Sequence, residues 1–159
     1  IPPAEAGHSS LPQCDGAIGA LIAGLAGKDA HRPVEALLSG PGLTRLHAHF
    51  SGDTLTPKEI IAAHRAGDAG ACASLTAFAR LLGTVLGDLA LSHLPMGGIY
   101  LIGGTARAVA SYVVQMGFAE TFTAKGPYSA LMREMPISLI SDDTAALAGC
   151  ARYLRQCKS

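Results

Sequence analysis

The chain has 159 residues, 49% of them hydrophobic and only 15% charged, which suits one domain with a core of its own. Lysine plus arginine equals aspartate plus glutamate at 12 each, so the formal net charge is zero. That balance excludes the basic surface of a nucleic-acid or anionic-membrane binder, and with this apolar content it excludes a solvated, disordered chain.

Residues 1–16 are rich in Pro, Ser and Gly without a period and read as loop. The opening Ile1-Pro2-Pro3 has no initiator Met and no signal-peptide pattern, and reads as the interior of a longer protein. Residues 17–25 form a small-residue helix closed by Gly27. Val34-Glu35-Ala36-Leu37-Leu38 is a short apolar run that Ser39-Gly40-Pro41-Gly42 stops sharply, and this reads as a strand feeding a turn. A helical pattern resumes over 43–50. At Thr56-Pro57-Lys58-Glu59 a capping threonine, a first-turn proline and a third-position glutamate make a capping box for a helix to about residue 66. Residues 68–91 form a long helix capped by Asp68, in which only Arg80 and Asp88 are charged; this predicts a buried central helix. An apolar run, Ile99-Tyr100-Leu101-Ile102, lies between Gly97-Gly98 and Gly103-Gly104. A helix over 106–116 stopping at Gly117, a short helix over 128–135, a strand over 137–140, caps at Asp142-Asp143-Thr144 and a last helix over 145–156 follow. The order predicts an α/β layered fold with parallel strands.

The longest charge-free stretch, residues 89–106, contains His93, Pro95 and four glycines, whereas a spanning helix needs ~20 apolar residues without such breakers. No membrane span is expected. Cys14, Cys72, Cys150 and Cys157 form no CxxC pair. The last two lie ~10 Å apart along one helix, too far for the ~7 Å limit of a disulfide. All four read as free thiols in a reducing cytoplasm, packed in the core.

Two groups of residues have the chemistry of a site. Gly103-Gly104-Thr105 ends an apolar strand and opens a helix, where free N–H groups and the helix dipole favour a polar or anionic ligand. The spacing is neither a P-loop nor GxGxxG, and close helix–strand packing explains it as readily as a nucleotide does. Glu5-Ala6-Gly7-His8 and Glu35 suit a polyhydroxylated ligand, since a carboxylate accepts from two hydroxyls and a histidine both donates and accepts. Glu35 stands inside an apolar run, where an unpaired charge is costly. A metal site is the rival for these residues, and an ordinary surface role is the third reading. His47 and His49 point their rings apart and chelate poorly. Arg107, just inside the helix, has reach enough for a phosphate or stays solvated.

Together these segments resemble the bacterial glucokinases. Glu5-Ala6-Gly7-His8, then Val34-Glu35-Ala36-Leu37-Leu38-Ser39-Gly40-Pro41-Gly42-Leu43, then Gly97-Gly98-Ile99-Tyr100-Leu101-Ile102-Gly103-Gly104 come in that family's order at roughly its spacing. Gly117-Phe118, Phe122, Lys125-Gly126, Met135-Pro136-Ile137 and Ala146-Leu147-Ala148-Gly149 follow suit. The likeness covers essentially the whole chain and matches the C-terminal half of such an enzyme. It implies an α/β fold, part of an actin-like, ribonuclease-H-like ATPase domain with a short parallel sheet packed with helices. Residues 1–141 would be the C-terminal large domain, incomplete at its N-terminus, and residues 142–159 a helix packing on the N-terminal domain. The implied activity is ATP-dependent phosphorylation of the 6-hydroxyl of glucose or a related hexose, with ATP and Mg²⁺, in the cytoplasm, without nucleic-acid or membrane partners.

Carried over by motif, Glu5, His8 and Glu35 bind sugar hydroxyls, and Gly103, Gly104 and Thr105 approach the adenosine and phosphates. No residue here is assigned as catalytic. The family's Asp-Gly-Gly-Thr phosphate loop and the Asp that acts as base lie in its N-terminal half, so this chain alone is expected to be silent. Three positions depart from the pattern: Ala6 stands for the usual Gly, Ser9-Ser10-Leu11 lacks an acidic residue after the histidine, and Thr105 is polar where an apolar residue is usual. The stripe Leu147, Cys150, Ala151, Leu154 would lack its partner, which predicts a homodimer or other self-association. A non-catalytic sugar- or nucleotide-binding relative, such as a sugar-responsive regulator, and a remnant that binds nothing remain as alternatives.

Overall fold

One long helix organises the chain. The computed structural model describes residues 4–25, 31–142 and 144–157. In chain order the helices are α1 (Gly16–Gly24), α2 (Gly40–Ser51), α3 (Pro57–Arg65), α4 (Ala69–His93), α5 (Gly104–Val113), α6 (Phe118–Thr123), α7 (Ser129–Glu134) and α8 (Ala145–Gln156), with strands β1 (Ile99–Leu101) and β2 (Ile137–Leu139). Asp68 caps α4 by accepting from Ala71 N at 2.7 Å. Between Ala71 and Ala90 only Cys72, Arg80 and Asp88 are exposed, because α2, α3, α5 and α6 cover the rest. By length and composition α4 is apolar enough to cross a bilayer; here its apolar faces are spent on neighbouring helices.

Two contacts show why these neighbours seat closely. His47 of α2 is buried and gives its Nδ1–H to Ser74 Oγ of α4 at 3.3 Å, while Ser74 donates to Gly70 O at 2.6 Å. His49, on the same helix, turns away and meets Phe50 edge-on, so the two rings do part as their spacing predicts. On the other side, a Cβ at Gly83 would overlap Thr121 Oγ1 and the Phe118 carbonyl. The glycine lets α6 lie directly on α4, with Phe118 and Phe122 stacked and buried between them. Helix α6 has no counterpart among the sequence-based expectations, which took Gly117 only as a stop.

Strands β1 and β2 pair in parallel, Ile99 with Ile137 and Leu101 with Leu139. The third expected strand, residues 34–38, is instead a 3-10 turn over Val34–Ala36. The reason is the period: Val34 and Leu37 are buried and lie three residues apart, the repeat of a 3-10 turn, whereas a strand would alternate. Leu37 N and Leu38 N both bond back to Val34 O, at 3.2 and 2.9 Å. Ser39-Gly40-Pro41-Gly42 likewise starts a helix rather than stopping a strand. Ser39 Oγ accepts from Gly42 N at 3.0 Å and caps α2, with Pro41 in the first turn.

The four cysteines are free, as expected, but Cys72, Cys150 and Cys157 are exposed and only Cys14 is half-buried, so core packing is overturned for three of them. Gly27 and Asp143, assigned above to a helix stop and a cap, lie outside the described residues.

Candidate functional site

The two polar motifs are joined by a short antiparallel pairing. Ser10 bridges Pro33, Leu11 N donates to Arg32 O, and Val34 N donates to Ser9 O, both at 2.8 Å. This sets the 3-10 turn Ala6–His8 beside the turn that holds Glu35. A Cβ at Gly7 would stand 3.6 Å from Glu35 Oε2, an ordinary contact distance, so the two turns lie side by side. His8 Nε2 and Glu35 Oε1 end 3.9 Å apart, with side chains 62% and 56% exposed. That separation is long for a hydrogen bond, and an exposed pair of this kind contributes ~0–1 kcal/mol. A hydroxyl oxygen off the line between them is within reach of both. Glu35 therefore carries no burial penalty: the turn points it outward, contrary to the reading of it as a charge within an apolar strand. Glu5 stands at the head of the first turn, exposed, and its backbone carbonyl accepts from His8 N at 3.0 Å.

Arg45, which no sequence signal singled out, reaches from α2 to Ala36 O at 2.8 Å. It ties the turn bearing Glu35 to a rigid helix. A depression of about 410 Å³ opens there, lined by Glu35, Ser39, Pro41 and Arg45. A second of about 560 Å³ shares Pro41 and Arg45 with it. Through Thr56 and Pro57 that one adjoins a cleft of about 770 Å³ between α3 and α5. Gly40 links the ends: its Cβ position is 3.6 Å from Thr105 Oγ1.

The two glycine doublets do different work. Gly98, at φ 112°, lies against Pro136, whose carbonyl would be 3.3 Å from a Cβ; that is steric packing at the strand entry. Gly103 also has a positive φ, 111°, yet Cβ atoms on Gly103 or Gly104 would meet nothing within 4 Å. Close helix–strand packing, the bland explanation, does not account for Gly104. The α5 N-terminus with Gly104, Thr105 and Arg107 faces the cleft, opposite Lys58 and Arg65 of α3. Those two cations were also missed, although their spacing of seven residues on a capped helix puts them on one face. Arg65 Nε donates to Tyr112 Oη at 2.6 Å, and His64 meets the Tyr112 ring edge-on.

Of the six sequence-predicted residues, Glu35 lines the first of these neighbouring depressions, with His8 beside it, and Gly104 and Thr105 line the last. Among the described residues no group of three or more His, Cys, Asp and Glu converges to hold a metal ion. A separate cavity of about 420 Å³, lined by Cys14, His31 and Arg32 among others, contains none of the six. Burial, with help from Asp15, raises the Cys14 thiol above its ordinary pKa, so it stays protonated.

The glucokinase family profile matches residues 2–157. The chain belongs to the glucokinase family. It is 33% identical over 161 aligned residues to a glucokinase of Psychromonas ingrahamii, covering 97% of this chain and 50% of that protein. A glucokinase of Saccharophagus degradans is 32% identical with the same coverage. The chain therefore spans about half the length of these curated relatives. Among solved structures, a glucokinase from an Antarctic psychrotroph superposes with a TM-score of 0.84 at 28% identity, over 96% of this chain and 50% of that one. An ROK hexokinase from Thermus thermophilus has a TM-score of 0.71 at 23% identity over 98% and 49%. The fold is that of the glucokinase and ROK proteins of the actin-like ATPase class, here a helix-rich α/β unit with a short parallel sheet.

Proposed function

We propose that this chain forms one wall of a cytoplasmic sugar kinase that transfers a phosphoryl group from ATP to the 6-hydroxyl of glucose or a related hexose. The observation that carries the reading is the convergence of His8 and Glu35 from two separate motifs, with depressions that share lining residues between them and the open Gly103-Gly104-Thr105 turn. Carboxylates and an imidazole at one end suit a polyol. An α-helix N-terminus flanked by cations at the other suits a triphosphate. Glu5 and Glu35 would each accept from sugar hydroxyls and His8 would donate or accept, fixing the ring so that one hydroxyl points along the depressions. Phosphoryl transfer depends on such positioning and on charge stabilisation.

When bound, Mg²⁺ neutralises developing charge on the transferring group. The donor set among the described residues offers it no cage, so on this reading the triphosphate holds it. The base for the sugar hydroxyl is assigned to residues outside this half, and α8, with Leu147, Tyr153 and Leu154 at 73, 67 and 59% exposure, to a surface that docks on that other half.

Thermal unfolding of the chain with glucose, galactose or mannose, each with and without Mg·ATP, tests the reading, because a ligand of the folded state raises Tm by mass action. A larger rise with glucose than with its epimers is expected, together with no glucose 6-phosphate formed. No rise with any sugar, or a rise as large in Glu35→Gln as in wild type, would overturn the sugar assignment.

A further inference from the structure

We propose that the cavity between α1 and the Ser10–Pro33 bridge binds a small organic carboxylate with an apolar body, and that its occupant braces the bridge that sets His8 beside Glu35. The cavity is about 420 Å³, at the small end of ligand pockets. Helix α1 closes one side of it, because Gly19 lies directly on the Cys14 carbonyl, which a Cβ there would overlap. Leu11, Ile22 and Ala23 give it an apolar wall. Ser10 bridges Pro33, so Leu11 stands opposite Arg32, and side chains opposite each other share a face.

Charge, not hydrogen-bond pattern, selects the occupant. The polar side chains of Ser10, Gln13 and His31 each donate or accept as a ligand requires. Arg32 carries the one fixed charge among the described lining residues, and no Asp or Glu is among them. Its guanidinium cannot lose its proton, yet its Nε is shut off from water and has no acceptor among the described residues. Asp15 is near enough to act on the Cys14 thiol but lines a different groove, with Phe50 and Arg80. A carboxylate matches the planar fork of an arginine, and a cation already half withdrawn from water is screened less. The bridge behind the cavity is slight. Its backbone bonds run from Leu11 N to Arg32 O and from Val34 N to Ser9 O, and so short a pairing opens locally at low cost. An occupant held by Arg32 on one segment and by Ser10 or Gln13 on the other favours the paired form. The consequence for a sugar rests on the sugar reading of His8 and Glu35; occupancy of the cavity does not.

The test is an NMR titration of the chain with benzoate, with benzamide as its neutral counterpart and inorganic phosphate as an anion without an apolar body. The Gln13 side-chain amide and the Ser10 and Leu11 backbone amides report binding. A saturable benzoate shift is expected, with benzamide and phosphate each about tenfold weaker or more. Arg32→Met, which keeps the stem and leaves the backbone pairing untouched, should weaken benzoate by about the same factor, and Arg32→Lys by less. Ala23→Leu, at an exposed position, should weaken it by narrowing the cavity. Saturating benzoate should slow hydrogen exchange at the Leu11 and Val34 amides and raise glucose affinity about fivefold or more. No saturable shift, equal binding of benzamide, or full retention in Arg32→Met overturns the site. Benzoate binding with unchanged exchange at Leu11 and Val34 overturns the brace, and slower exchange with unchanged glucose affinity overturns its effect on the sugar. Slower exchange in a chain that binds no glucose at all supports site and brace and overturns the sugar reading alone.

Discussion

A single methyl group at position 104 separates a glycine kept for packing from one kept for a ligand. The Cβ of Gly104→Ala would meet no atom within 4 Å, and the residue has no positive φ. It stands at the start of α5, where alanine is the better helix former by up to ~1 kcal/mol. For a domain of this size ~1 kcal/mol corresponds to about 2–4 °C in Tm, so the unliganded variant should melt at the wild-type temperature or up to about 4 °C above it. The methyl projects into the cleft, however, and overfilling a fitted contact costs ~1–3 kcal/mol, about a five- to 150-fold loss of nucleotide affinity. Differential scanning fluorimetry with and without Mg·ATP reads both quantities in one experiment. A fall of more than about 2 °C in the unliganded Tm would show that the doublet serves folding. Unchanged Tm with unchanged nucleotide response would show that nothing approaches it.

Gly83→Ala should behave in the opposite way: its Cβ would overlap Thr121 Oγ1 and the Phe118 carbonyl, pushing α6 off α4 and breaking the 2.8 Å bond from Thr121 Oγ1 to Arg80 O. A loss of ~1–3 kcal/mol in chemical denaturation is expected, and an unchanged midpoint would mean that α6 slides freely. Thr56→Ala removes the cap of α3 and should cost ~1 kcal/mol at pH 7. Hydrogen bonds from the Thr56 hydroxyl and then its backbone hold the Glu59 carboxyl below its ordinary pKa. A depressed folded pKa gives stability that is present above the ordinary carboxylate range and lost as pH falls through the folded value. Wild type should thus lose more Tm than Glu59→Gln between pH 5 and pH 3, and equal losses would refute the linkage. The uncovered α8 stripe should make the chain self-associate at high concentration, and Leu147→Lys with Leu154→Lys should return it to a monomer in sedimentation; a wild-type monomer at millimolar concentration would count against that.

Capped and periodic elements were legible in the sequence because their signals are local. Thr56-Pro57-Lys58-Glu59 fixes the start of α3 through bonds within four residues, and the near absence of charge in α4 already required burial on most faces. The motif residues were legible too, as chemistry, but their partners were not. Glu35 was read on a strand because an apolar run of five residues fits several periods, and the burial of Val34 and Leu37, with the Leu37 backbone seated against Gly42 where no Cβ fits, selects the 3-10 turn that faces Glu35 outward. Helix α6 has six residues, too few for a periodic signal, and exists because Gly83 and Gly87 on a distant helix make room for it. The meeting of His8 with Glu35, the grip of Arg45 on Ala36 and the anchoring of Arg65 by Tyr112 all join residues far apart in the chain. Such contacts depend on where rigid elements come to rest against each other. Sequence determined the capped and periodic helices and which side chains have the chemistry of a site; packing on α4 decided where α6 forms and which of those side chains meet.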